Sequence, residues 1–305
     1  MTNQNHMKSI TSTCSFLVLF SFLAQAQKLP NTNVYLFNMI QKSDSVFQFE
    51  KPLFLTGFNS DGYNNQPAFV SNDEIYLTVQ MADDTTQTDI YSLNLRTKTK
   101  TRITATPDSE YSPQVKPGSD DDSPMFSCVR VEKDGQQTQR LWEFPMDRSN
   151  NGKPAFEKVK GVGYYTWLNN KKAAVFITGE PHRLAMADTR RDKLENITAN
   201  IGRALQRLPN GNLAFVHKYG TSSWLLKKLN AGTKRSELIT ATPKEKEDFI
   251  ILGNGTFLLG NGSKLLKFNP KKDNTWIEIA DFKYYGINNI TRMAVRDGKI
   301  AIVSK

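Results

Sequence analysis

The stretch Tyr63-Asn-Asn-Gln-Pro-Ala-Phe-Val-Ser-Asn-Asp-Glu-Ile-Tyr-Leu-Thr-Val79 decides how this chain is read. Gln66–Val70 and Glu74–Val79 are short runs rich in β-branched and aromatic residues, and Asn72-Asp73 between them is turn chemistry. That pattern predicts two antiparallel strands joined at a tight tip. Two more short runs follow, Asp89-Ile-Tyr-Ser-Leu-Asn-Leu95 and Lys100-Thr-Arg-Ile-Thr104, so the unit has four strands, a to d.

Outward from this unit, hairpin tips recur at Gly118-Ser119, Asn169-Asn170, Asn210-Gly211, Asn254-Gly255 and Asp297-Gly298. The spacing of about 40–50 residues is that of a repeat in which each unit is one four-stranded blade. The second unit opens at Tyr111-Ser-Pro-Gln-Val115, the third at Tyr164-Tyr-Thr-Trp-Leu168, the fourth at Ala204–Leu208 and the fifth at Asp248–Leu252. The sixth has only strand a, Ile290–Val295, and strand b, Lys299–Val303, before the chain stops at Lys305. Its missing strands stand at the other end: Val34-Tyr-Leu-Phe-Asn38 matches strand c, and Pro52-Leu-Phe-Leu-Thr56 matches strand d. Sustained helical spacing is absent. The expected fold class is therefore all-β, a six-bladed β-propeller closed by N-terminal strands c and d pairing with C-terminal strands a and b. Such closure removes the open edges of a free sheet. A β-sandwich with irregular strands is the alternative, and it predicts neither the period nor the split repeat.

Residues 1–26 read as a secretory signal peptide rather than as part of the fold. Lys8 precedes the apolar run Phe16–Leu23, and Ala24-Gln-Ala26 supplies the small-x-small cleavage pattern. The run is short for a membrane span, so an uncleaved anchor is the lesser reading. Residues 27–305 then form one propeller domain, periplasmic or secreted, not membrane-spanning, and working as a monomer. Beyond residue 27 only Cys128 remains as a thiol, in the alternating run Met125–Val131, where it reads as a small buried hydrophobe. The chain is basic, net +10 with 40 Lys and Arg against 30 Asp and Glu. The bases are spread out, with short clusters at Lys98-Thr-Lys100-Thr-Arg102, Lys171-Lys172, Arg190-Arg191 and Lys271-Lys272, most of them at predicted outer turns. They read as a solvated rim, or as attraction to an anionic envelope surface. No interleaved aromatic and basic motif points to nucleic acid.

The quoted stretch resembles the repeat of TolB-like propellers, also called WD40-like repeats. There a polar residue and Pro precede an aromatic, a turn and a β-branched strand, as in Gln66-Pro-Ala-Phe69 and again at Glu110-Tyr-Ser-Pro113. Thr88-Asp-Ile-Tyr-Ser-Leu93 resembles the family's strand c, and Arg102-Ile-Thr104 its strand d. The resemblance implies the propeller fold and a non-enzymatic binding or scaffolding role. Between Gln27 and Val34 there is no room for the extra N-terminal domain of the family's namesake.

A propeller's loops leading into strand a surround the mouth of its axial channel. The expected ligand-binding residues there are Tyr63, Asn65, Tyr111, Tyr165, Arg203, Asp248 and Asn289. Arg203 would hold an acidic group, and the tyrosines would give contact area. The expected partner is a protein or an envelope polymer, with no cofactor, no catalytic residue and no metal. The rival is a lactonase-type hydrolase, in which Glu110, Glu247, Asp248, Asn65 and Asn289 would hold an axial cation by oxygen atoms. Zinc is disfavoured because His182 and His217 fall in different repeats, at expected outer positions. No Gly-x-Ser-x-Gly elbow is present, and the acidic tip Asp120-Asp-Asp122 lacks calcium-loop spacing.

Overall fold

A computed structural model describes residues 29–118, 123–220 and 223–305. The expected signal peptide of residues 1–26 and the acidic tip 120–122 lie outside the described residues. Six four-stranded antiparallel sheets make up the fold, so it is all-β and a six-bladed β-propeller. Blade 1 holds Tyr63–Phe69, Glu74–Met81, Asp84–Asn94 and Lys100–Arg102. Blade 2 holds Ser109–Val115, Met125–Val131, Gln139–Pro145 and the two-residue Lys153–Pro154. Blades 3, 4 and 5 open with strands a at Val162–Trp167, Ile201–Arg207 and Phe249–Ile251.

Blade 6 is assembled from both ends of the chain. Its sheet runs in the order Ile290–Arg296, Lys299–Ser304, Asn33–Gln41, Phe47–Phe54. Val34 pairs with Val303, Leu36 with Ala301 and Asn38 with Lys299. The split repeat thus closes as the sequence predicts. Strand d differs, covering Phe47–Phe54 rather than Pro52–Thr56, because Thr56 turns inward: its Oγ1 accepts from Val34 N and donates to Asn33 Oδ1.

A polar knot ties the same segment to blade 1. Buried Asn64 donates from Nδ2 to the carbonyls of Thr32 and Asn59, each at 2.8 Å, and Thr32 Oγ1 donates to Asn64 O at 2.9 Å. Fully satisfied buried amides of this kind stabilise one arrangement, because any other leaves them unpaired.

The core lies between blades. Phe37, Leu258, Leu265 and Ile300 fill the seam of blades 5 and 6; Val34, Ile75, Leu77 and Val303 that of blades 6 and 1. Phe126 and Tyr76 meet edge-on between blades 1 and 2 at 5.3 Å. Each blade is apolar on both faces, which is why the repeats read as short, nearly continuous hydrophobic runs. Cys128 sits in this packing with no exposure, and burial pushes its thiol well above the usual range.

Candidate functional site at the channel mouth

Strand a is the innermost strand of every blade, so its backbone edge faces the axis. An edge strand tolerates proline, whose missing N–H has no partner to lose, and Pro67 and Pro113 line the channel. The residue before each, Gln66 and Ser112, has positive φ, 52° and 56°, at a bulge in the pairing with strand b. Bulges also interrupt strand a in blades 3, 4 and 6.

One ring position follows from this geometry. Gln66, Ser112, Tyr164, Arg203, Asp248 and Arg292, one from each blade, line a channel cavity of about 310 Å³. Above it, on the side where strands a begin, a wider cavity of about 600 Å³ is lined by Tyr63, Tyr111, Tyr164, Arg203, Lys218 and Glu247 among others.

The charges form a connected set. Arg203 forks onto Asp248, Nε to Oδ1 at 3.1 Å and Nη2 to Oδ2 at 2.5 Å. Arg292 donates from Nη1 to the same Oδ1. Glu247 accepts from Arg203 N at 2.8 Å and pairs with Lys218 at 3.2 Å. Gly202 permits that approach, because a Cβ there would lie 2.5 Å from Glu247 Oε2. Arg292 reaches across the axis from blade 6 to blade 3, its guanidinium 5.2 Å from the centre of the Tyr164 ring. Burial, reinforced by the nearby Arg203 charge, lowers the Arg292 pKa to about 10. Burial pushes the Tyr63 hydroxyl well up, with Tyr164 adding to the effect. Three cations therefore face two carboxylates at the mouth, an excess of one positive charge.

The seven expected residues divide. Tyr63, Tyr111 and Arg203 line the mouth cavity, and Asp248 lines the channel beneath it. Asn65 is buried, with Oδ1 accepting from Gln66 N at 2.8 Å. Tyr165 borders the channel cavity, but its side chain turns into the seam between blades 2 and 3, where its hydroxyl meets Ser127 Oγ at 2.9 Å. Asn289 lines neither cavity, and its carbonyl accepts from Lys305 N. Arg203 does not stand free but already holds Asp248.

His182, expected at an outer position, lines the mouth from the b–c loop of blade 3, its ring 4.6 Å from Phe176. His217 is elsewhere, with Nδ1 2.9 Å from Lys227 Nζ, and burial lowers its pKa. Arg292, Lys218 and Gln66 escape the sequence reading. For Gln66 and Arg292 the signal was the ring position itself, displaced by bulges that break the two-residue alternation; Lys218 stands on strand b, Leu213–Tyr219, outside that position.

No protein-family model matches the chain, and no curated protein matches it in sequence. Solved structures do match. A candidate TolB from Agrobacterium tumefaciens superposes with a TM-score of 0.64 at 10% identity, covering 90% of this chain and 98% of that one. TolB from Acinetobacter baumannii gives 0.53 at 14% identity, over 90% of this chain and 64% of that one. A puromycin-hydrolyzing peptidase from Mycobacterium tuberculosis gives 0.56 at 10% identity, over 80% of this chain and 45% of that one. At such identities the likeness is one of fold: the chain is a six-bladed β-propeller that superposes on TolB structures.

Proposed function

We propose that this protein is a non-enzymatic binding or scaffolding propeller of the periplasm or the secreted fraction, which recognises a protein or envelope ligand at its channel mouth. One observation carries the reading: Tyr63, Tyr111, Tyr164, Arg203 and Lys218 surround a single cavity that continues into the channel. Tyrosines supply area at low entropic cost, and the cations supply orientation. The excess positive charge favours an acidic group on the ligand, in competition with Asp248 for the two guanidiniums.

The alternative, a lactonase-type hydrolase with an axial cation, draws less support from the oxygens it needs. Asp248 and Glu247 are engaged by Arg203, Arg292 and Lys218. Glu110 lies buried on Arg130, Nε to Oε1 at 2.9 Å, and Asn65 on the backbone of its neighbour. Among the described residues no three His, Cys, Asp or Glu side chains gather as a metal group. Among them, too, no helix is long and apolar enough to cross a membrane.

The test is affinity capture from an envelope extract with wild type and with Tyr111→Ala/Arg203→Ala. Specific partners should be lost from the double variant. If every specific partner stays bound, the mouth is not the site. Metal analysis of the purified protein checks the alternative: stoichiometric metal, lost together with a hydrolytic activity on chelation, would favour the enzyme.

A further inference from the structure

The face opposite the mouth is formed by the a–b tips and the c–d turns of all blades. Charge is distributed unevenly over it. In blades 3 and 4 these turns, 168–171, 189–192, 208–212 and 230–235, contain Lys171, Arg190, Arg191, Lys234 and Arg235 against one acid, Asp192. Among the described residues, the equivalent turns of the other four blades hold seven bases, Lys98, Arg148 and Lys271 among them, against five acids, Asp44, Asp73, Asp147, Asp273 and Asp297, a smaller excess spread over twice as many blades. On the mouth side the loops 178–182 and 242–248 hold Lys244 and Lys246 against Glu180, Glu245, Glu247 and Asp248, while Lys158 lies beside the patch, its N donating to the two Asp192 carboxylate oxygens at 3.2 and 3.0 Å. Among the described residues the basic excess is therefore densest on blades 3 and 4.

The patch has a shape. A groove of about 450 Å³ runs between the outer strands of blade 3 and the c–d turn of blade 4. Its floor is Met186 and Ala187, and Lys172, Arg191, Lys193 and Lys234 line it. Its acids are partly spent: Asp188 holds Arg190, Nη2 to Oδ2 at 3.0 Å, and exposed Glu195 stands 3.9 Å from Lys234 Nζ. Lys171, Arg191 and Lys193 are exposed. The only apolar residues of the floor, Met186 and Ala187, are buried, so the patch offers no side chain to insert into a bilayer.

We infer that the groove between blades 3 and 4 on the tip face binds a linear polyanion, a glycan carrying a carboxylate or similar anion on successive sugars. Cations on both walls of a trough match a charged chain lying along it. Counterion release on binding makes such an interaction steeply salt-dependent. The site is separate from the mouth, so the protein has two binding faces: one tyrosine-rich for a specific partner, one basic for the envelope polymer around it.

Polygalacturonate serves as the probe, with neutral dextran as control and phosphatidylglycerol–phosphatidylcholine vesicles as the competing surface. Wild type should bind polygalacturonate, ignore dextran, and lose affinity about tenfold or more as salt rises from 50 to 200 mM. Lys171→Glu/Arg191→Glu/Lys193→Glu should weaken binding at least tenfold. Lys133→Glu/Lys244→Glu/Lys246→Glu, an equal charge change on mouth-side loops, should retain binding within about threefold, and unchanged circular dichroism of both variants certifies folding. A milder Arg191→Gln/Lys193→Gln pair should fall between wild type and the triple variant. Equal loss in both triple variants would reduce the effect to net charge and overturn the inference. Binding to vesicles but not to polygalacturonate would overturn it in favour of a lipid surface, and no binding to either would overturn it outright. Loss of mouth partners in the Tyr111→Ala/Arg203→Ala protein leaves this outcome untouched, so the two readings fail separately.

Discussion

Asp248 is the residue on which the channel charges converge. Two guanidiniums share it, and its own side chain is 16% exposed. Asp248→Asn would leave Arg203 and Arg292 facing each other with the neutralising charge gone. Removing one partner of a fully buried pair costs about 3–5 kcal/mol. Arg203 is 37% exposed and partly screened, so the expected loss is about 2 kcal/mol, read from urea unfolding. A loss within error would show the pair to be solvent-dominated.

Tyrosines give a pH signature at the same scale. Burial raises Tyr76 to about 12 and pushes Tyr63 and Tyr165 up as well. An unfolded tyrosine titrates near pH 10. Between pH 10 and 12 the native state keeps protons that the unfolded chain has released, so stability is intact below pH 10 and falls as pH rises through that window. The thermal midpoint should drop above pH 10, and Tyr76→Phe should flatten the drop. An identical decline in Tyr76→Phe would assign the effect to other groups.

At the scale of elements, blades are held to one another by close approach as much as by their own ladders. Gly260, in strand b of blade 5, lies against blade 6: a Cβ there would come within 2.6 Å of Ile290 Cβ and 3.0 Å of its carbonyl oxygen. Backbone cannot yield as a flexible side-chain tip does. Gly260→Ala should cost about 1–3 kcal/mol by overpacking, whereas alanine at Gly253, which has nothing within 4 Å, should be near neutral. Comparable denaturation midpoints for the two variants would contradict this account of the seam.

Hydrogen bonds at the channel wall also cross between blades. Gln66 Oε1 accepts from Ser112 N at 2.9 Å, and Gln114 Nε2 donates to Tyr165 O at 2.7 Å. A glutamine beside each proline thus closes a seam, Gln66 before Pro67 and Gln114 after Pro113.

For the whole molecule, closure of the ring is the decisive event. Residues 33–54 supply two strands of blade 6, and Thr32 and Asn64 bind that segment to blade 1. Deleting 33–54 would expose the Lys299–Ser304 edge and strip Val34, Leu36 and Phe37 from two seams. The deletion protein should lose its cooperative unfolding transition and aggregate. A soluble, cooperatively folding deletion protein would refute the closure as a requirement.

The sequence by itself determined the blade count, the phase of the repeats and the split sixth blade, because these depend on local signals: turn residues at fixed spacing and short apolar runs that cannot bury themselves alone. It also marked Tyr63, Tyr111, Arg203 and Asp248 as neighbours of the axis. Only the tertiary structure decided which side chain of each inner strand faces the channel. One bulged residue moves every side chain behind it to the other face, so Tyr164 lines the channel while Tyr165 enters the seam, and Arg292, far along the chain, reaches Asp248 and Tyr164 across the axis. Charge pairing across blades and the groove between blades 3 and 4 were likewise decided in space, since their members come from neighbouring blades packed side by side.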